Sequence, residues 1–387
     1  MIAWVKRYVR EYVTDRLQRK YWCRGVVPEG RKRALLSYIV RPFRTASTVN
    51  HTNDVEARLL AETLADLGYA VDVVASGFRG EVDYGRYDLV LGQGYPIERS
   101  FRPGVDVRRV YYATGCGCCQ RNRSEIERVV ELRQSRDAGG AEDVYPTRQK
   151  QYPDYVSGSL SDAVLCTGNA FTLGTYDTRA IPIVESVDLP VQELVEPRRI
   201  DRDHDRTRTH FVWFGGRGTV LKGMDLCVRA VQDLGDATLH LCGPREEPVF
   251  DALSDELAAP NVVHHGFVDP SSETFREIMA ACSFVLFPSV SEGGGASVLT
   301  AMTTGLIPVV TDGASIDLGD FGIRIDAPTV PAVRDAMRSC MQRPAPDLAD
   351  RSRAAFRRIR DDHTAERYTQ AVRSVLRRVE QGAGASG

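Results

Sequence analysis

One stretch constrains the fold of this chain more than any other. Residues 283–311 read SFVLFPSVSEGGGASVLTAMTTGLIPVVT. Ser283–Pro288 is a short apolar run of strand length, rich in Val, Leu and Phe. Ser289–Gly295 is a polar turn ending in three consecutive glycines. Ala296–Thr304 places Val298, Leu299 and Met302 on one helical face, and Gly305 suits the position after the last turn. Ile307–Thr311 is the next buried-type strand, with Pro308 at its start. The pattern predicts a βαβ unit whose helix opens at a glycine-rich turn. Free backbone N–H groups there, reinforced by the helix dipole, can receive an anion. Glu292 stands at the mouth of that turn. Many α/β proteins carry a short glycine turn that binds nothing, so the reading depends on the rest of the chain.

The chain has room for two such domains: 387 residues, 43% hydrophobic and 26% charged. A formal net charge of −2 argues against nucleic acid as a partner. Nine cysteines, an odd number in a long chain, do not read as a disulfide framework and imply a reducing, cytoplasmic compartment. No apolar run approaches the roughly 20 residues of a membrane-spanning helix. Residues 1–22 read as an amphipathic helix, with Ile2, Val5, Val9, Val13 and Leu17 on one face and Trp4, Tyr8, Tyr12 and Tyr21 beside them. Six basic residues against two acidic ones suit an anionic membrane surface, and hence a peripheral location on the inner face. A helix packed on its own protein is the alternative.

Five segments follow from the pattern: an N-terminal basic helix (1–30), a first Rossmann-like domain (31–195), a linker (196–209), a second Rossmann-like domain (210–362), and a final helix and tail (363–387). In the first domain Ala34–Val40, Ala70–Ala75, Tyr87–Leu91, Arg109–Ala113, Ala163–Thr167 and Ile181–Glu185 read as strands, and 54–67 and 122–136 as helices. Strand alternating with helix implies a parallel sheet with a ligand crevice at the carboxyl ends of the strands. His51 and Asn53, in the loop after the first strand, belong to that crevice by position, or else cap the following helix. Cys116, Cys118 and Cys119 lack the second ligand pair that a structural zinc site needs, so no metal is expected. Glu196–Thr209 (EPRRIDRDHDRTRT) holds almost no apolar residue and marks the domain boundary.

In the second half each strand ends distinctively. His210–Phe214 runs into GGRGTVLKG, where Gly215 and Gly216 allow close backbone approach and Arg217 and Lys222 bring two cations. Val262–His265 runs into Gly266 and Phe267, a place for a flat ring. The turn Glu292–Gly295 adds the helix N-terminus. A nucleoside diphosphate fits this edge, with its base on the aromatic and its diphosphate on the cations and N–H groups.

The series GGR…KGMDL, LHLCGP, VVHHGFVD and SVSEGGG…AMTTGLIPVV resembles the donor domain of retaining glycosyltransferases of family 4, over about residues 210–325. VNHTNDVEARLLAETLADLGYAVDVV resembles the acceptor-side domain. The resemblance implies the GT-B fold: two Rossmann-like domains facing a cleft, with the final helix as a crossover helix that returns to the first domain. It implies transfer of a sugar, with retention, from a nucleotide-diphosphate donor to a glycan, lipid or small-molecule acceptor, without metal or other cofactor. Arg217 and Lys222 would hold the diphosphate as it leaves, and Gly294, Gly295 and Ala296 would offer N–H groups. Glu292 would match the first glutamate of the family's E-x7-E motif. The second, which holds the ribose, falls on Thr300, and the crevice histidine of many relatives has no counterpart in Thr114–Cys119. These two departures define the alternative, a catalytically silent GT-B protein that binds a nucleotide sugar as a scaffold. An epimerase or a phosphorylase is a third reading, and nothing in the sequence marks the inorganic-phosphate site a phosphorylase needs.

Overall fold

A computed structural model describes residues 20–44, 51–135 and 140–382. The amphipathic stretch 1–22 lies almost wholly outside them. The first domain is a seven-stranded sheet in the order β1-β3-β2-β4-β5-β6-β7. Its strands are β1 (Trp22–Val27), β2 (Lys32–Tyr38), β3 (Tyr69–Ala75), β4 (Leu89–Gly92), β5 (Arg108–Ala113), β6 (Ala163–Cys166) and β7 (Val184–Ser186). All pair in parallel except β1, which runs antiparallel to β3. That strand corrects the assignment of 1–30 to a helical segment. Arg24 and Gly25 interrupt the apolar alternation, so the sequence hides it. In the fold Trp22 packs edge-on to Phe78 at 5.6 Å, and Gly25 N–H donates to Asp72 at 2.7 Å. Two helices matter to the site, α1 (Thr52–Asp66) and α2 (Cys118–Gln134).

The second domain is an all-parallel six-stranded sheet, β10-β9-β8-β11-β12-β13. Its strands are β8 (His210–Phe214), β9 (Thr238–Cys242), β10 (Val262–Gly266), β11 (Phe284–Phe287), β12 (Ile307–Val310) and β13 (Ile323–Arg324). Between them lie α3 (Met224–Val231), α4 (Glu273–Ala281) and α5 (Ala296–Met302), followed by α6 (Val330–Met341), α7 (Ala345–Asp362) and α8 (Ala365–Gln381). In both sheets the strand order reverses beside the first parallel strand, between β2 and β4 and between β8 and β11. Ligand crevices open at such points.

The domains are joined by more than the linker. Helix α8 crosses back, so that Tyr368, Val372, Val375, Leu376 and Val379 belong to the core of the first sheet together with Leu36, Leu60 and Tyr112. On α2, Val129 and Leu132 belong instead to the core of the second domain. There Arg128 of α2 pairs with Asp225 of α3 at 2.6 Å, both buried. The polar linker is also structural. Arg202 donates to the carbonyls of Cys282 and Thr304, each at 2.8 Å, and so satisfies the C-terminal ends of α4 and α5.

Candidate active site

The cleft is built from the loops after β8 and β11 on one side and after β2, β4 and β5 on the other. The loop 215–223 is held to the loop after β11 by the Val290 N–H donating to Leu221 O at 3.1 Å. Lys222 and Glu292 therefore come within electrostatic reach of each other. Burial is the largest influence on Lys222 and lowers its pKa. Glu292 opposes that shift, while Arg148 and Arg121 add to it. Arg217 is exposed on the same loop. Phe267 stands at the end of β10, 78% exposed, with its ring uncovered.

The glycines divide by role. A Cβ on Gly216 would meet nothing within 4 Å, so that backbone is open to a ligand, whereas one on Gly215 would lie 2.8 Å from the Trp213 ring. At the glycine-rich turn a Cβ on Gly293 would sit 2.4 Å from Thr114 O, one on Gly294 2.4 Å from Thr167 O, and one on Gly295 2.8 Å from Ile316 Cδ1. Gly293 and Gly294 thus let the first domain's loops press onto the second, and φ of +87° at Gly294 favours glycine as well. Thr172 Oγ1 donates to Glu292 O at 2.9 Å and fastens the turn from the same side. Ala296 opens α5 behind Gly295. Thr300 lies on α5, 3% exposed, and its hydroxyl donates to Ala296 O at 2.8 Å. Its donor is spent inside the helix, which the motif alone does not reveal.

On the opposite wall His51 is the N-cap of α1, its Nδ1 accepting from Asn53 N at 3.1 Å. A cap is one of the two readings that the sequence leaves open for His51; an unprotonated imidazole nitrogen accepts there in the same way as a Ser, Thr, Asn or Asp oxygen. Burial lowers the His51 pKa, Asp54 opposes, and Arg41, Lys222 and Arg148 lower it further. His51 is therefore within electrostatic reach of Lys222 and Arg148.

Three participants escaped the motifs because they sit on irregular or unrelated segments. Glu247 accepts from Gly218 N at 2.7 Å, Thr219 N at 2.8 Å and, from the first domain, Thr147 Oγ1 at 2.7 Å. Burial acts to raise its pKa, and these hydrogen bonds outweigh burial and hold it low. Arg148 and Arg121 are joined by Arg121 Nε donating to Arg148 O at 2.9 Å. Among the described residues no group of three His, Cys, Asp or Glu side chains converges as a metal site. All nine cysteines are free. A cavity of about 280 Å³ adjoins Gly294, lined also by Asp188, Leu299, Phe321, Arg358 and His363, and reaches neither Arg217 nor Lys222.

Residues 208–343 match the family of glycosyl transferases group 1. A search of the curated proteins found no match to the sequence. Among solved structures, the sucrose-phosphate synthase of Thermosynechococcus elongatus superposes with a TM-score of 0.61 at 13% identity, covering 90% of this chain and 99% of its own. Anabaena HepE, solved with UDP and glucose, gives 0.55 at 12% identity, covering 89% and 99%. A mutant of S. aureus TarM, solved with Fondaparinux, alpha-GlcNAc-glycerol and UDP, gives 0.50 at 15% identity over 74% of this chain, which spans only 55% of TarM's length. The shared fold is GT-B, and within it residues 208–343, about a third of the chain, match the model of the glycosyl transferases group 1. Among the described residues no helix is long and apolar enough to cross a membrane.

Proposed function

We propose that this chain is a glycosyltransferase that moves a sugar from a nucleoside-diphosphate donor to a glycan, lipid or small-molecule acceptor with retention and without metal. One observation carries the reading. Lys222 and Arg217 share a loop at the switch point of the second sheet, beside Glu292 and across from His51, and neither cation has an ion-pair partner among the described residues. Positive charge at that place stabilises a departing diphosphate. The base stacks on Phe267, the open backbone at Gly216 approaches a phosphate, and Glu292 orients the sugar. The UDP complexes of HepE and TarM support the donor class.

The test is calorimetry with UDP, GDP and ADP. Replacing both Arg217 and Lys222 by Ala is expected to weaken binding of the preferred nucleotide by roughly 2–4 kcal/mol, the scale of charge-assisted hydrogen bonds. Unchanged affinity would remove the site assignment. The buried Thr300 hydroxyl favours one point of the scaffold reading, a weakly held ribose. A wild-type protein that binds nucleotide and neither hydrolyses nor transfers the sugar of any of the three nucleotide–glucose donors would support that alternative.

A further inference from the structure

We propose that Arg121 and Arg148, both from the first domain, grip the donor diphosphate from across the cleft and stabilise it as it leaves. The inference depends on the donor reading above and adds two residues that the second-domain motifs do not contain.

Each arginine stands at one of the two donor loops. The Arg148 stem covers the loop of Arg217 and Lys222: a Cβ on Gly218 would lie 2.2 Å from Arg148 Cγ. Its neighbour Thr147 is tied to that loop through Glu247, whose carboxylate takes Thr147 Oγ1 and the Gly218 and Thr219 N–H groups together. Arg121, in the first turn of α2, reaches the loop of Glu292. Its Nη1 is 3.4 Å from where a Cβ on Gly115 would be, and Gly115 N is 2.6 Å from where a Cβ on Gly293 would be. Neither guanidinium has an ion-pair partner among the described residues, although Glu125 and Glu247 lie near. Glu125 Oε1 accepts from Thr147 N at 2.8 Å and Arg148 N at 2.7 Å instead. Burial and then Arg121 depress the Arg148 pKa against the opposing charges of Glu292, Glu125 and Glu247, so four cations of the cleft face three carboxylates and no ion pair among the described residues closes on either guanidinium. Such a cluster is costly unless an anion completes it.

The chemistry uses that charge. The bond from the anomeric carbon to the β-phosphate oxygen breaks with its electron pair going to that oxygen. The acceptor's hydroxyl oxygen bonds to the anomeric carbon, and its proton passes to the departing phosphate oxygen. Before that proton arrives the diphosphate carries one more negative charge than the donor did. Cations fixed on both walls therefore bind the leaving group more strongly than the ground state. Two of the four belong to the first domain, so the full set needs both domains together.

The test compares wild type with Arg121→Gln/Arg148→Gln and with Arg148→Lys, in calorimetry with UDP, GDP, ADP and their monophosphates. The double variant should bind the preferred diphosphate at least about tenfold more weakly and its monophosphate within about threefold of wild type, while Arg148→Lys, which keeps both charges, should stay within about threefold for the diphosphate. Equal losses for diphosphate and monophosphate, or undiminished diphosphate affinity, overturn the inference and leave the donor site standing. Lost transfer with intact diphosphate affinity also overturns it, by assigning the arginines to the acceptor. A wild type that binds none of the three diphosphates defeats the donor reading itself.

Discussion

At the residue scale the most perturbed acid lies outside the cleft, beneath its wall. Glu56 on α1 is buried and accepts from the hydroxyls of Tyr38, at 3.0 Å, and Tyr112, while Tyr368 of α8 donates to Tyr112 Oη at 2.9 Å. Burial outweighs these hydrogen bonds and raises its pKa to about 7. In the unfolded chain the group titrates near its ordinary value of 4.5. A raised acid stabilises the fold fully below the unfolded value, and that contribution is lost as pH rises through about 7. The loss should total roughly 3 kcal/mol, at about 1.4 kcal/mol per pKa unit. Urea unfolding from pH 5 to 8 should show this slope in wild type and lose it in Glu56→Gln. Parallel curves would mean that Glu56 is ionised throughout.

At the element scale three neighbouring strands carry a row of imidazoles. His210 Nδ1 lies 3.2 Å from His240 Nε2, and His240 Nδ1 lies 3.0 Å from His265 Nε2, on β8, β9 and β10. Each gap holds one proton, so one neutral tautomer chain satisfies the row and a charged ring breaks it. Burial first, then the neighbouring rings, lower the His240 pKa to about 4. A depressed base leaves the fold intact above its unfolded value, 6.5, and costs stability as pH falls from there toward 4. The second domain should therefore lose up to about 1.4 kcal/mol per pH unit for each proton excluded. His240→Leu should flatten that acid limb in thermal unfolding between pH 6.5 and 4; an unchanged slope would point to other groups.

At the scale of the whole molecule the closed cleft is locked by α2. Asp225 is fully buried against Arg128, and the apolar residues beside that pair belong to the second domain's core. Arg128 keeps Glu131 as a second partner, whereas Asp225 has Arg128 as its one ion-pair partner among the described residues, so removing Arg128 leaves an uncompensated buried carboxylate, which costs about 3–5 kcal/mol. Arg128→Met should lower stability by that amount and enlarge the particle in solution scattering as the domains part. A loss under about 1 kcal/mol with an unchanged radius would show that the pair does not hold the closed state.

The amino-acid sequence by itself determined the two largely parallel sheets, the strands β8, β10, β11 and β12 nearly to the residue, and the glycine-rich loops that carry Arg217, Lys222 and Glu292. Periodicity, glycine placement and apolar runs are local, and these elements are written in them. Only the tertiary structure decided the edge strand β1, the His51 cap and the inward turn of the Thr300 hydroxyl. The same holds for the contact of Gly293 and Gly294 with the first domain and for the meeting of Arg121, Arg148 and Glu247 at the donor loops. Each of these depends on partners far along the chain. No local pattern distinguishes a glycine kept for a ligand from one kept for a neighbouring carbonyl, or a solvated arginine from one aimed into a cleft.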